Sequence, residues 1–254
     1  MKNASSFSVV REENGWICVW KNANTLSVPS RQGTKDARLC VGMELQELLG
    51  QQIYPVHRLD FEVAGLLVFA KTPAAQSQLN RAFELRQIHK YYRALCLEEK
   101  QDIASQIEEG RKKYFQEKQF AKETQWHCKL AEGKRRSFPA EHGKESFTKA
   151  RHLRALTEEE SHSLLHKPAP LQVWELEPVT GRRHQLRLHM CLAGIPVLGD
   201  ILYGAKAWRL EGIALCSHKI DFSQIPEREA LALPDQLTFD FSTLSRKQMS
   251  WASI

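Results

Sequence analysis

His57-Arg58-Leu59-Asp60 is followed, four residues on, by Gly65-Leu66-Leu67-Val68-Phe69-Ala70-Lys71 and then by Thr72-Pro73. The second run is short, apolar and bounded by glycine and proline, and reads as a buried strand. Thr72 then serves as a helix N-cap with Pro73 at the first helical position. The helix continues through Leu79 and Phe83, whose spacing repeats one face. Strand and helix thus follow one another directly. Asp60 stands just before the apolar strand, at the edge of a core and partly desolvated. An ionised carboxylate there needs a positive partner, or it neutralises. Taken alone, the segment fits a surface-turn aspartate equally well.

Outward from this stretch the same mixture recurs. Toward the N-terminus, Trp16-Ile17-Cys18-Val19-Trp20 reads as a strand. A helix is predicted over about Arg38–Leu49, with Leu39, Met43, Leu45 and Leu48 on one face and Gly50 as its stop signal. Toward the C-terminus, Lys90 to Leu97 reads as a strand. From Glu98 to about Pro168 the chain turns polar and poorly periodic, with a possible helix over Glu108–Phe120, so an insertion or small subdomain is expected at about 99–168. Leu171 to Leu176 alternates like a half-buried strand. Thr180-Gly181 makes a turn, a helix is predicted over Arg182–Ala193, and Gly194 caps it. Pro196 to Gly204 is a loop, with short strands expected near Leu215 and Phe222. The pattern is α+β.

With 254 residues, 42% apolar and 26% charged, the chain can bury a substantial core. The net charge of +6 permits a polyanionic partner without demanding one. Six cysteines are scattered with no C-x-x-C pair, which reads as reduced thiols rather than a zinc site or disulfide scaffold. No N-terminal apolar run serves as a signal peptide and no run is long enough to span a membrane, so a cytoplasmic protein is expected. The G-x-S-x-G, P-loop, H-E-x-x-H and dinucleotide fingerprints are all missing from the sequence.

Three spots could carry chemistry. Asp60 is the first. The second is Thr180-Gly181-Arg182-Arg183-His184-Gln185-Leu186-Arg187-Leu188-His189, where donors crowd onto a predicted helix start. Arg187 lies between two leucines and could reach inward to a buried carboxylate, a task suited to a permanent, bidentate cation. A helix with a basic outer face fits this stretch as well. The third is Lys90-Tyr91-Tyr92. Adjacent strand residues point to opposite faces, so one tyrosine packs in the core and the other could offer a ring to a nucleobase. The basic runs Arg111-Lys112-Lys113 and Lys134-Arg135-Arg136 fit either a solvated surface or phosphate contacts.

In this order, the three spots resemble the RluA-type family of pseudouridine synthases. His57-Arg58-Leu59-Asp60 with Gly65 to Thr72 resembles the family's catalytic motif, and Lys90-Tyr91-Tyr92-Arg93-Ala94 its K-x-Y-x-A strand. Lys144 to Thr148 is similar to a weaker segment. Thr180 to His189, with Gly194, Pro196, Gly199-Asp200 and Tyr203-Gly204, resembles the longest motif. The matches run from about Tyr54 to Phe222.

The resemblance implies a single catalytic domain over 1–254, built on a mixed, mainly antiparallel central sheet with flanking helices and a catalytic cleft. No S4-type RNA-binding domain is expected. It implies that Asp60 is the catalytic nucleophile, that Tyr92 packs on the target uracil, and that Arg187 pairs with the aspartate. Arg58, His57, Arg182 and His184 are the expected RNA- or base-binding residues. The implied reaction converts uridine to pseudouridine in rRNA or tRNA, with no cofactor or metal. Apart from the resemblance, a monomer with no membrane partner is expected. The target base must leave its stack, at a cost of roughly a few kcal/mol, against which aromatic packing returns about 1–3 kcal/mol.

Three positions depart from the family pattern. Val63-Ala64 replaces the usual Thr-Ser, Lys21-Asn22 the usual Lys-Pro, and Cys216-Ser217 stands where His-Ala is common. The competing readings are a noncatalytic RNA-binding protein or RNA chaperone on the same fold, and a hydrolase using Asp60 with His57 or His184.

Overall fold

The computed structural model describes residues 5–30, 33–101, 109–121, 123–165, 169–208, 210–226 and 228–239. In chain order its strands are β1 (Phe7–Glu12), β2 (Trp16–Lys21), β3 (Tyr54–Pro55), β4 (Ala64–Ala70), β5 (His89–Leu97), β6 (Gln116–Gln119), β7 (Thr124–Glu132), β8 (Ser137–Pro139), β9 (Lys144–Ala155), β10 (Leu171–Pro178), β11 (Leu215–Asp221) and β12 (Gln236–Thr238). The α-helices are α1 (Val41–Leu49), α2 (Pro73–Glu84), α3 (Glu158–Leu164) and α4 (Gln185–Leu192). The fold class is α+β, and the chain divides into two compact units, Met1–Lys90 with Cys216–Ile254, and Tyr91–Leu215.

In the first unit β2 and β4 run antiparallel, from Trp16 opposite Ala70 to Lys21 opposite Gly65. Every residue of both strands is buried, so neither shows alternation and both read as continuous apolar runs. β1 flanks β2, and β11 lies parallel to β4 with Cys216 opposite Ala64 and Ser217 opposite Gly65. Gly65 has φ +133°, and a Cβ there would stand 2.4 Å from the Ser217 amide nitrogen. Only glycine lets the two backbones approach so closely. Thr72 caps α2 by accepting the Ala75 N–H at 3.1 Å, and Ala75, Leu79 and Ala82 form the buried stripe of that helix. α1 starts at Val41 rather than near Arg38, and Gly50 ends it in the left-handed region, φ 61°. Leu39, Met43 and Leu48 of its predicted apolar face are exposed, whereas Leu45 is buried.

In the second unit the strand order is β5-β10-β9-β7-β6, antiparallel throughout, with β8 beside β7. The polar stretch expected to be an insertion supplies β6, β7, β8 and β9. In place of a helix over Glu108–Phe120 there is a 3-10 turn at Glu109–Tyr114 and then β6. On β7, Thr124, Trp126, Cys128 and Leu130 point inward, and on β9 Ser146, Thr148 and Ala150 do the same. α4 packs on these strands and is buried at every position. It begins at Gln185, three residues later than the pattern predicts, because His184 takes a left-handed conformation, φ 54°, that breaks the helical path. Near the C-terminus the expected second strand at Phe222 is a turn, and the partner of β11 is β12. Among the described residues no helix is long and apolar enough to cross a membrane. The six cysteines are buried free thiols.

Candidate active site

In the first unit Asp60 sits on the 56–63 loop between β3 and β4, half-buried, and three side chains fasten that loop. β3 pairs with Ala70 and Phe69 of β4. The ladder is then continued by the His57 ring, whose Nε2 accepts the Val68 N–H at 3.0 Å. An accepting Nε2 places the proton of the neutral ring on Nδ1. Burial, together with the Lys90 ammonium, holds the His57 pKa well below the usual histidine value, so the ring stays a neutral acceptor. The next fastening is Ser27, whose Oγ accepts the Leu59 N–H at 3.0 Å and donates to the Leu59 carbonyl at 2.9 Å. The last is Lys21, whose Nζ donates to the Phe61 carbonyl at 3.2 Å and to those of Thr25 and Asn22 at 2.8 and 3.0 Å. The residues before and after Asp60 are therefore both bonded to buried side chains, and the Val63 N–H closes the turn on the Asp60 carbonyl.

Lys21 is 0% exposed. Burial pulls its pKa down to about 7, while the negative charges of Asp60 and Glu62 work in the opposite direction. Motif reading treats Lys21 only as half of a variant Lys-Pro pair. Its burial, which makes it an electrostatic neighbour of Asp60, is a property of β2 being covered on both faces. Arg58 is exposed.

In the second unit Tyr92 lies opposite Leu176 in the β5–β10 register and is 6% exposed, with Tyr91 half-exposed on the other face. Arg187 on α4 is buried and reaches inward, the first of the two readings open to it in the sequence. Its Nε and Nη2 donate to Asp200 Oδ2 at 2.6 Å and Oδ1 at 2.8 Å. The guanidinium also lies 5.5 Å from the Tyr203 ring centre. Asp200 belongs to the long motif but carries no role in the sequence reading, since nothing in the sequence says that a loop carboxylate folds back beneath a helix.

The loop before α4 is equally fixed. Gln185 Oε1 accepts the Thr180 hydroxyl at 2.6 Å and the Arg182 N–H at 3.1 Å, and its Nε2 donates to the Phe147 carbonyl at 2.8 Å. His184 Nδ1 lies 3.1 Å from the Tyr203 hydroxyl. Arg182 is exposed and donates to the Glu145 carbonyl at 3.2 Å.

A family model described as RNA pseudouridylate synthase matches residues 15–191. The chain belongs to this family, on its RluA-type branch, and is an RNA-modifying isomerase that converts uridine to pseudouridine. It is 30% identical over 195 residues to the dual-specificity RNA pseudouridine synthase RluA of Vibrio vulnificus, covering 77% of this chain and 68% of that protein. It is 28% identical over 211 residues to the corresponding protein of Haemophilus influenzae, covering 83% of each. Among solved structures it is similar to human RNA pseudouridylate synthase domain containing 1, at a TM-score of 0.64 and 20% identity over 99% of this chain and 91% of that one. That likeness concerns the fold.

Proposed function

We propose that Asp60 is the nucleophile of the isomerisation, that Tyr92 packs on the uracil, and that Arg187 is the cation paired with the aspartate, as the family resemblance implies. Structured rRNA or tRNA is the substrate class, and the work is done in the cytoplasm by a single catalytic domain over residues 1–254, as a monomer without cofactor or metal. Arg58, Arg182, His57 and His184 are proposed to assist RNA binding, His57 by positioning the loop through its bond to Val68.

One observation carries this reading. Asp60 is a half-buried carboxylate whose neighbours Leu59 and Phe61 are both bonded to buried side chains, with the Lys21 ammonium close enough to feel its charge. A carboxylate held in place before substrate arrives loses little orientational freedom on reaction, and a nearby buried cation favours the ionised form that nucleophilic attack requires.

The test is Asp60→Asn, assayed by tritium release from RNA labelled at uracil C5. Turnover is expected to vanish while RNA affinity stays within about twofold, because the amide keeps the shape and loses the nucleophile. Near-normal turnover would remove Asp60 from the mechanism. Strand cleavage or free base as product would instead point to a hydrolase.

A further inference from the structure

We infer that the turn joining β7 to β8, Lys134-Arg135-Arg136, forms with Arg182 a preassembled phosphate-binding patch for the RNA backbone, and that Arg183 is the clamp that assembles it.

The evidence begins with Arg183. Its Nη1 donates to the Gly133 carbonyl and its Nη2 to the Arg135 carbonyl, both at 2.8 Å. The Ser137 hydroxyl answers by donating to the Arg183 carbonyl at 2.7 Å, and the Ser137 N–H donates to the Tyr203 hydroxyl at 2.9 Å. The turn itself is closed by the Gly133 N–H on the Arg136 carbonyl at 2.9 Å. The half-buried Arg183 therefore uses its planar fork on main-chain oxygens, a geometry lysine lacks. The effect is to hold a run of three cations beside the loop that carries Arg182.

Elsewhere several arginines are already neutralised. Arg11, Arg38, Arg151, Arg154 and Arg228 each hold a carboxylate partner. Lys134 and Arg135 are exposed, Arg136 is half-exposed, and among the described residues none of the three forms an ion pair. Glu132, the adjacent acid at the end of β7, is exposed and makes none with them. The turn thus presents three cations that form no ion pair among the described residues, on a backbone fixed by side-chain bonds and beside the loop that carries Arg182. A solvated surface gains nothing from such fixing, whereas a polyanion does, because ordering the turn beforehand lowers the entropy lost on binding. Each phosphate neutralised also releases condensed counterions. A regularly spaced run of phosphates on an RNA stem is the partner this geometry fits.

The inference rests on RNA being the substrate, and its test does not require Asp60 to act. The probe is a fluorescein-labelled RNA stem-loop, its binding to the full chain followed by anisotropy across a potassium chloride series. The triple variant Lys134→Ala/Arg135→Ala/Arg136→Ala is expected to bind roughly tenfold more weakly at 0.1 M salt, with a log–log salt slope shallower by about 2. Turnover at saturating RNA should stay within twofold. A charge-matched control, Arg11→Ala/Arg154→Ala/Arg228→Ala, should leave the slope unchanged. Arg183→Lys, which keeps the charge and loses the fork, should weaken binding severalfold. Single Arg135→Ala, at an exposed site, guards against misfolding of the triple variant and should show part of its loss. Unchanged affinity and slope in the patch variants would overturn the proposal, as would an equal loss in the charge-matched control. Unimpaired binding by Arg183→Lys would remove the clamp.

Discussion

Arg187 and Asp200 meet at two points, Nε on Oδ2 at 2.6 Å and Nη2 on Oδ1 at 2.8 Å, with each side chain only 1% exposed. A guanidinium and a carboxylate taken this far from water are held by each other's field and by their parallel hydrogen bonds. The bond ties the middle of α4 to the start of the 3-10 turn at Ile201–Tyr203. The orientation of the arginine is therefore built into the helix-to-turn junction before any RNA arrives.

Removing either partner breaks a buried bidentate ion pair, so Asp200→Asn should cost about 3–5 kcal/mol of unfolding free energy. Arg187→Ala should lose comparable stability and, in addition, turnover. Urea denaturation of both single variants and of the double variant checks this. The double variant should fall well short of the sum of the singles, because both substitutions break the same pair. Additive effects, or a loss below 1 kcal/mol for Asp200→Asn, would show that the pair does not hold the junction.

The Ser27 hydroxyl makes both of its hydrogen bonds to Leu59, the residue before Asp60. Ser27→Ala leaves a buried N–H and a buried carbonyl without these partners, a cost of about 1–3 kcal/mol. The loop should loosen where Asp60 is carried. Turnover at saturating RNA is expected to drop about tenfold, with RNA affinity nearly unchanged. A variant that loses affinity and keeps its turnover would place Ser27 in binding instead of positioning.

Much of this was legible in the residues. Gly65 to Lys71 reads as a buried strand and is β4. Thr72-Pro73 reads as a helix start, and Thr72 Oγ1 does accept the Ala75 N–H. The leucines beside Arg187 allow an inward direction without deciding it against a basic outer face. What the pattern hides has physical causes. β9 turns Ser146 and Thr148 toward the core, so a buried face written in hydroxyls looks polar and the stretch reads as irregular. Those hydroxyls are satisfied by Gln185 and His189 on α4, partners distant in sequence. Likewise a lysine ending a strand carries no sign that its ammonium will be sealed among carbonyls. The late start of α4, after His184, comes from a left-handed residue that hydrophobic periodicity does not register.

Lys21 predicts a pH signature. Its folded-state pKa of about 7 lies below the ordinary lysine value of 10.5. Between these values the unfolded chain binds more protons than the folded one, so this residue makes stability rise with pH across that window. Below about pH 7 the cost of burying the ammonium is present in full. Lys21→Met should remove the rise, which urea titrations at pH 6.5, 8 and 9.5 would show as a stability difference from the parent protein that changes with pH. A constant difference would mean that Lys21 titrates as it does in the unfolded chain.

His189 predicts an acid limb of the same sign. The ring is fully buried, with Nδ1 2.9 Å from Thr148 Oγ1 and Nε2 3.1 Å from Ser146 Oγ. Gln185 Nε2 already donates to Thr148 Oγ1, so the Thr148 proton points to Nδ1. Ser146 gives its own proton to the Cys128 carbonyl at 2.6 Å, which leaves its oxygen to accept from Nε2, and Cys128 Sγ also lies 3.3 Å from that nitrogen. This arrangement predicts the neutral Nε2–H tautomer, in which a second proton on Nδ1 would face the Thr148 hydroxyl proton. Burial pushes the pKa down to about 3, and the nearby His127 adds to the shift. The unfolded chain takes up this proton near pH 6.5 and the folded chain does so only near 3. Stability should therefore fall as pH drops through that interval, with α4 loosening from β9. In the parent protein the ring should show the Nε2–H tautomer by nitrogen NMR throughout pH 5–8. His189→Asn, which still offers one donor and one acceptor but does not titrate, should be less stable at neutral pH and should lose less on acidification. A ring that titrates near 6.5, or a variant whose acid limb parallels that of the parent, would refute the locked tautomer.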